Sequence, residues 1–265
     1  MKSVFSVVAA AALALLYSSW VAAASVQVVS LKGTLTGRAQ GAAEAQLGQG
    51  DVLGSGWVVN TGADSYAVLR FDDGQVVALQ SRSTFRIDSY KYEQASPGTG
   101  EVLLSLLKGG VRAITGLVAK SNRSAFALRT STATIGIRGS DFMIVDFAGN
   151  YGQVLDGSIS VTTAKGSGVF SAGETLHAAS STAMPAGIPA SAVPAGLFNE
   201  LLGIPVAAAA ASAGGASAGA GAATGGAVTT TAGAATFFGL VGAAAVGAIA
   251  GGGDGSSGLT TTHHH

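Results

Sequence analysis

From Val26 to about Ala179 the apolar positions either alternate with polar ones or gather in short runs closed by Gly, Asp or Asn. That pattern predicts short β-strands rather than helices. Ala67, Leu69 and Phe71 share one face of a predicted strand, Asp73-Gly74 supplies the positive-φ chemistry of a tight hairpin, and Val77 with Leu79 returns alongside. The same reading of Val154-Leu155-Asp156-Gly157-Ser158-Ile159-Ser160-Val161 predicts a second Asp-Gly hairpin. Phe85 and Ile87 alternate with Arg86 and Asp88, and Gln94 to Gly100, with Pro97, reads as a surface loop. Ala133, Ile135 and Ile137 have period two in a stretch whose glycines and threonines disfavour a helix. The expected fold is all-β: a short-strand sandwich or roll with solenoid-like stacking, followed by a low-complexity Ala/Gly tail. No fixed-length repeat is clean enough for a regular solenoid.

The flanks obey different rules. Lys2, the apolar run from Val4 to Leu16 and the small residues Ala22-Ala23-Ala24 read as a secretory signal over 1–24, which predicts an exported chain beginning at Ser25, in the periplasm or cell envelope. The β domain is assigned to 25–180. Pro185, Pro189, Pro194 and Pro205 mark 181–205 as a linker, with one candidate short helix at Ala195 to Leu202 whose Leu197, Phe198, Leu201 and Leu202 could dock on the β domain or elsewhere. Residues 206–231 read as an Ala/Gly/Ser/Thr linker and 252–265 as a disordered C-terminus. Between them, 232–251 has the length of a bilayer span but little bulky apolar surface. Membrane association through it and a plain low-complexity tail stay open as alternatives.

Composition narrows the chemistry. Hydrophobic residues make up 48% of the 265, yet much of that is alanine in the two flanks, so the usable core belongs to the strand region. Lys plus Arg and Asp plus Glu are both 14, so any electrostatic function is local rather than global. Cysteine is absent, which removes disulfides, thiolate metal sites and a cysteine nucleophile. His177 has no companion motif. Asp72 and Asp73 lack further oxygen ligands nearby, and His263, His264 and His265 sit on a Thr-rich end without fixed geometry. Lys108-Gly109-Gly110 lacks the spacing of a phosphate loop. The expectation is therefore a non-enzyme with no catalytic residue, cofactor or metal. One charge feature stands out: Lys108, Arg112, Lys120, Arg123, Arg129 and Arg138 lie in a stretch free of carboxylates from Val102 to Ser140. If neighbouring strands gather them, they form a binding surface for an acidic protein segment or an anionic polymer; dispersed solvated charges are the alternative. Phe126 is the one aromatic among them, which together with the signal disfavours nucleic acid.

Four blocks, taken in order, resemble the FecR domain of bacterial envelope proteins. They are Gly50-Asp51-Val52 leading to Asn60-Thr61-Gly62-Ala63-Asp64-Ser65 and Leu69-Arg70-Phe71-Asp72-Asp73-Gly74; Leu79-Gln80 with Phe85 to Tyr92; Leu106-Leu107-Lys108-Gly109-Gly110-Val111-Arg112; and Ala133 through Arg138-Gly139-Ser140-Asp141-Phe142, with Asp156-Gly157 and Gly173-Glu174 downstream. Thr130-Ser131 stands where the family commonly has Thr-Pro, and Gly139-Ser140 where it has Gly-Thr. The resemblance implies a recognition or sensory module that contacts an envelope protein or a cell-wall polymer. Sigma-factor regulators of the family carry a cytoplasmic segment and membrane helix ahead of this domain. Here a signal peptide is read directly ahead of it, so an exported module is expected, with a partner subunit in iron-uptake or sigma-factor signalling, or a structural surface protein anchored by its tail, as alternatives.

Overall fold

The computed structural model describes residues 24–211; the signal read over 1–24, apart from Ala24, and the segments beyond 211, including the marginal span and the terminal histidines, lie outside the described residues. Among the described residues no helix is long and apolar enough to cross a membrane. The strands are β1 Val26–Lys32, β2 Leu35–Arg38, β3 Ala45–Leu47, β4 Val52–Leu53, β5 Val58–Thr61, β6 Tyr66–Phe71, β7 Val76–Leu79, β8 Thr84–Lys91 and β9 Glu101–Ile114. They continue as β10 Phe126–Arg129, β11 Thr134–Ile137, β12 Asp141–Asp146, β13 Asn150–Asp156, β14 Ser158–Thr163, β15 Gly166–Ser171, β16 Thr175–Ala178 and β17 Ala186–Ile188. Three short helices accompany them: α1 Leu117–Ser121, α2 Asn199–Gly203 and α3 Val206–Ala211.

The strands pair in two faces. Sheet A runs β4-β1-β6-β7-β9-β12-β13-β16-β17. Sheet B runs β3-β2-β5-β8-β9-β10-β11-β14-β15. All these pairs are antiparallel except β9 with β10. Hairpins alternate between the faces: β12-β13 in sheet A, β14-β15 in sheet B, β16-β17 in sheet A. The sandwich with solenoid-like stacking expected from the sequence is the fold observed.

Between the sheets lies one apolar core. The residues read from period-two alternation supply it: Ala67, Leu69, Phe71, Val77, Leu79, Phe85, Ile87, Ala133, Ile135 and Ile137 are all buried there, joined by Phe142. Phe71 packs edge-on against Tyr90 with ring centroids 4.9 Å apart. A second cluster lies on the outer face of sheet A, where Val68, Val76, Ala78, Met143 and Val145 are covered by Phe198, Leu201, Ile204 and Val206. The helix expected at Ala195 to Leu202 is found at Asn199–Gly203, with Phe198 and Leu201 buried and Leu202 exposed. Glu200 fixes it by accepting the Ser81 hydroxyl at 2.8 Å. The segment read as a linker thus adds an edge strand and a cover to sheet A, because apolar side chains at this spacing leave water more favourably than they stay extended.

Among the described residues β9 is the one strand shared by both sheets. Glu101 to Lys108 pair with β8 in sheet B, and Gly109 to Ile114 pair with β12 in sheet A. The crossing falls at Gly109, whose φ is +87°. A Cβ there would stand 2.4 Å from the Ser83 Oγ and 2.6 Å from its Cα, and at Gly110 it would stand 2.6 Å from the Gln80 Cδ. The gap is closed by hydrogen bonds: Gly110 N–H donates to the Ser83 hydroxyl at 3.0 Å, Ser83 N–H to the buried Thr61 hydroxyl at 2.9 Å, and that hydroxyl to the Gln80 carbonyl at 2.6 Å. Thr61 and the Gly-Gly pair therefore form one device for moving a strand between sheets. At the opposite end Thr115 does similar work, donating from its hydroxyl to the Ser140 carbonyl at 2.7 Å and accepting from Ser140 N–H at 2.9 Å.

The two Asp-Gly sites part company. At Asp73-Gly74 the expected hairpin forms, with Ala67 opposite Leu79 and Leu69 opposite Val77. Gly74 N–H donates to Phe71 O and Phe71 N–H to Gln75 O, both at 2.9 Å, a three-residue loop closed by a glycine at φ +81°. Asp156-Gly157 does not make the second hairpin: it joins β13 in sheet A to β14 in sheet B. Gly157, at φ +71°, passes so close to the opposite connection that a Cβ would lie 1.9 Å from the Gly139 carbonyl oxygen. Gly50-Asp51 shapes a further connection, with Gly50 at φ +97° and the Asp51 carboxylate accepting Gly48 N–H at 2.7 Å.

Gly109→Ala is expected to destabilise the fold by about 2–4 kcal/mol, from left-handed strain plus overpacking. Thermal unfolding reads this as a midpoint drop of roughly 5–15 °C. Adding Ser83→Ala should not restore it, since the Ser83 backbone also blocks the site; full rescue would refute this account.

Candidate functional site

Among the described residues no helix covers the outer face of sheet B, and its register sets a single row. Arg38 lies opposite Val58, Val58 opposite Arg86, Arg86 opposite Ser105, and Ser105 beside Arg129. The row continues through Thr134 and Thr162 to Ser167. Each neighbour one step along its strand points inward: Val59, Phe85, Leu104, Leu128, Ile135 and Val161 belong to the core. Period-two alternation therefore fixes the arginines outward. With adjacent strands ~4.8 Å apart, Arg38, Arg86 and Arg129 stand on alternate strands, each ~10 Å from the next.

The three differ in local setting. Arg38 and Arg129 are exposed. Arg86 is tethered through Nε to the Asp88 carboxylate, its side chain keeping 43% of its exposure, and Asp88 also accepts the Ser105 hydroxyl. One row away, Glu44 accepts the Thr36 hydroxyl and the Asn60 amide. These hydrogen bonds, helped by Arg38, hold the Glu44 carboxyl below its ordinary range. Two clefts open along the row. One, of about 690 Å³, is lined by Arg38, Gln40, Gly56, Val58, Arg86 and Asp88. The other, of about 320 Å³, lies at Arg129 between Thr130–Thr134 and Thr162–Ala164.

The six basic residues singled out in the sequence do not share this face. Arg112 belongs to the sheet A half of β9 and is held by Asp141 through Nε–Oδ1 at 2.9 Å and Nη2–Oδ2 at 2.6 Å, both side chains mostly covered. Lys120 sits in α1 and Arg123 just after it, at the end of sheet B where β11 runs out into Arg138. Lys108 and Arg129 lie toward the other end of sheet B. The reason is the crossing at Gly109, which sends Lys108 and Arg112 into different sheets. Of the six, Arg129 alone falls in the row. Arg38 and Arg86 were not among the candidates; the alternation Phe85-Arg86-Ile87-Asp88 showed Arg86 facing outward, but nothing local showed which strands would flank it.

Other titratable groups serve the fold. His177 stacks on Tyr151 with ring centroids 4.1 Å apart, and its Nε2 lies 3.2 Å from the Ala148 carbonyl oxygen. Among the described residues no group of three His, Asp or Glu side chains comes together as a metal cluster. Asp73 is buried, accepting Gln75 N–H at 3.1 Å and Val118 N–H at 3.2 Å, while its own N–H donates to the Tyr90 hydroxyl at 2.8 Å. It thereby joins the β6-β7 turn to the start of α1. Burial raises the Asp73 carboxyl above its ordinary range despite these hydrogen bonds. Burial, reinforced by the Asp73 charge, likewise pushes the Tyr90 hydroxyl well up.

Comparison with known proteins gives one family. The sequence model of the FecR protein family matches residues 58–167, from β5 into the β14-β15 hairpin, so the crossing strand, Arg86 and Arg129 lie inside the match and Arg38 outside it. Two crystal structures of a provisionally assigned anti-sigma factor from Parabacteroides distasonis are similar at 16% identity, each covering 45% of this chain and 53% of its own, with TM-scores of 0.36 and 0.35. The chain spans about half the length of those structures. No curated protein matches.

Asp73 gives a pH test. A raised folded-state value means that its contribution to stability is complete below the ordinary value of 3.8 and is lost as pH rises through the higher folded value. Asp73→Asn removes this titration. The midpoint difference, wild type minus variant, should therefore grow more positive as pH falls from about 7 to about 4. A difference independent of pH would contradict the assignment.

Proposed function

We propose that this chain, whose residues 58–167 match the FecR protein family, is an exported, non-catalytic recognition and signalling module that lays the outer face of sheet B against an anionic cell-wall polymer. The observation that carries this reading is the arginine row, in which three guanidinium groups on alternate strands face outward beside two open clefts. Guanidinium forks suit carboxylate or phosphate oxygens, and the Asp88 tether holds Arg86 in one pose, which reduces the ordering cost on binding. Beyond the arginines, the exposed Thr134, Thr162 and Ser167 offer hydroxyls that exchange water for polymer hydroxyls at little cost. A flat, repetitive face fits a repeating ligand better than a compact one. The signal over 1–24 supports an envelope location.

The test is co-sedimentation of the protein with purified cell-wall sacculi over a salt series. Replacing Arg38, Arg86 and Arg129 together by alanine should weaken binding about tenfold, taking exposed ion contacts at several tenths of a kcal/mol each. Replacing Lys120, Arg123 and Arg138 should weaken it much less, and wild-type binding should fall as salt shortens the screening length. Equal losses in both triple variants, or binding indifferent to salt, would count against this face.

A further inference from the structure

The N-terminal end of the described chain has a partner waiting for it. Ser25 N–H donates to the Asp72 Oδ2 at 2.6 Å, and the Ser25 hydroxyl lies 3.0 Å and 2.9 Å from the two oxygens of the same carboxylate. Asp72 N–H returns a hydrogen bond to the Ser25 carbonyl at 3.2 Å, just beyond the pairing of Val26 with Phe71. Asp72 is exposed and sits in the three-residue turn beside Asp73, the residue that holds α1. A carboxylate with both oxygens turned on one residue, 47 positions away in sequence, is more than an ordinary peptide N–H requires.

We infer that the mature protein begins at Ser25 and that its α-ammonium is clamped by Asp72. The inference rests on the exported reading given above. The chemistry is hydrolysis: a signal peptidase adds water across the Ala24–Ser25 peptide bond, hydroxyl going to the Ala24 carbonyl carbon and a proton to the Ser25 nitrogen. The amine so released takes a further proton near neutral pH, since α-amino groups titrate at about 7.7–8.0. One neutral donor facing Asp72 thereby becomes a cation with three, and the contact becomes a charge-assisted pair of the stronger kind. The geometry also selects among cleavage points. Val21 and Ala23 present small residues at the −3 and −1 positions for cleavage after Ala23, as Ala22 and Ala24 do for cleavage after Ala24. The first would leave Ala24 in place and Ser25 as an amide; only the second sets the charge on the nitrogen that Asp72 contacts. Ala24 packs partly buried against the core.

The experiment expresses the full chain in a bacterium with an intact export pathway and measures the intact mass and N-terminal sequence of the envelope form. Its thermal midpoint is then compared for wild type and Asp72→Asn, each with the α-amine free and selectively acetylated. The expected result is a Ser25 N-terminus and a midpoint drop of about 2–4 °C on Asp72→Asn when the amine is free, at least halved when it is acetylated. Ser25→Ala, which deletes the hydroxyl contacts, should keep the dependence on the free amine. An N-terminus at Ala24 or elsewhere in an envelope fraction overturns the clamp and leaves export standing. A full-length chain confined to the cytoplasm overturns export as well. A Ser25 N-terminus with equal effects in free and acetylated protein also overturns the clamp.

Discussion

The fold hangs on one strand having to belong to two sheets. β9 enters sheet B at Glu101 and leaves sheet A at Ile114, and its hydrogen bonds must change partners midway without leaving buried donors unmet. Gly109 accepts the left-handed turn this requires, Gly110 leaves space for the Gln80 side chain, and Ser83 and Thr61 supply hydroxyls that bridge the break. Take away the crossing and sheet A loses the strand between β7 and β12 while sheet B loses the one between β8 and β10. The core enclosed between them exists because that strand brings them face to face.

The same constraint sorts the charges. Lys108 and Arg112 are four residues apart, yet one is exposed beside sheet B and the other is ion-paired with Asp141 on sheet A. Arg38, Arg86 and Arg129, scattered over the sequence, stand in one row because β2, β5, β8, β9 and β10 happen to meet in that register. Proximity in sequence is a poor guide to proximity on a sheet whose strands are joined by crossings.

What the sequence made legible follows from this division between local and distant. Alternation in Ala67-Leu69-Phe71 and in Phe85-Ile87 depends only on the two-residue period of a strand, so the buried faces could be named in advance. Asp73-Gly74 could be read as a hairpin because the flanking runs pair with each other. Asp156-Gly157 carries the same turn chemistry, but whether the next strand folds back or crosses to the other sheet is decided by Gly139 on a distant connection, which no local pattern encodes. Apolar positions at Leu197, Phe198 and Leu201 announced a helix that could dock; the site it covers is assembled from β6, β7 and β12 and could not be read from them. The arginine row was hidden for the same reason: outward orientation is local, but company is not.

The cover on sheet A gives the domain a back and a front. β1, where the described chain begins, lies in sheet A, and the segment from Phe198 to Val206, where it nears its end, packs on that sheet's outer surface. Among the described residues the back is the covered face, and the front presents only strands. A domain covered on one face alone meets its surroundings unequally: a contact on the back must displace packed apolar side chains, whereas one on the front meets Arg38 and Arg129 already in water.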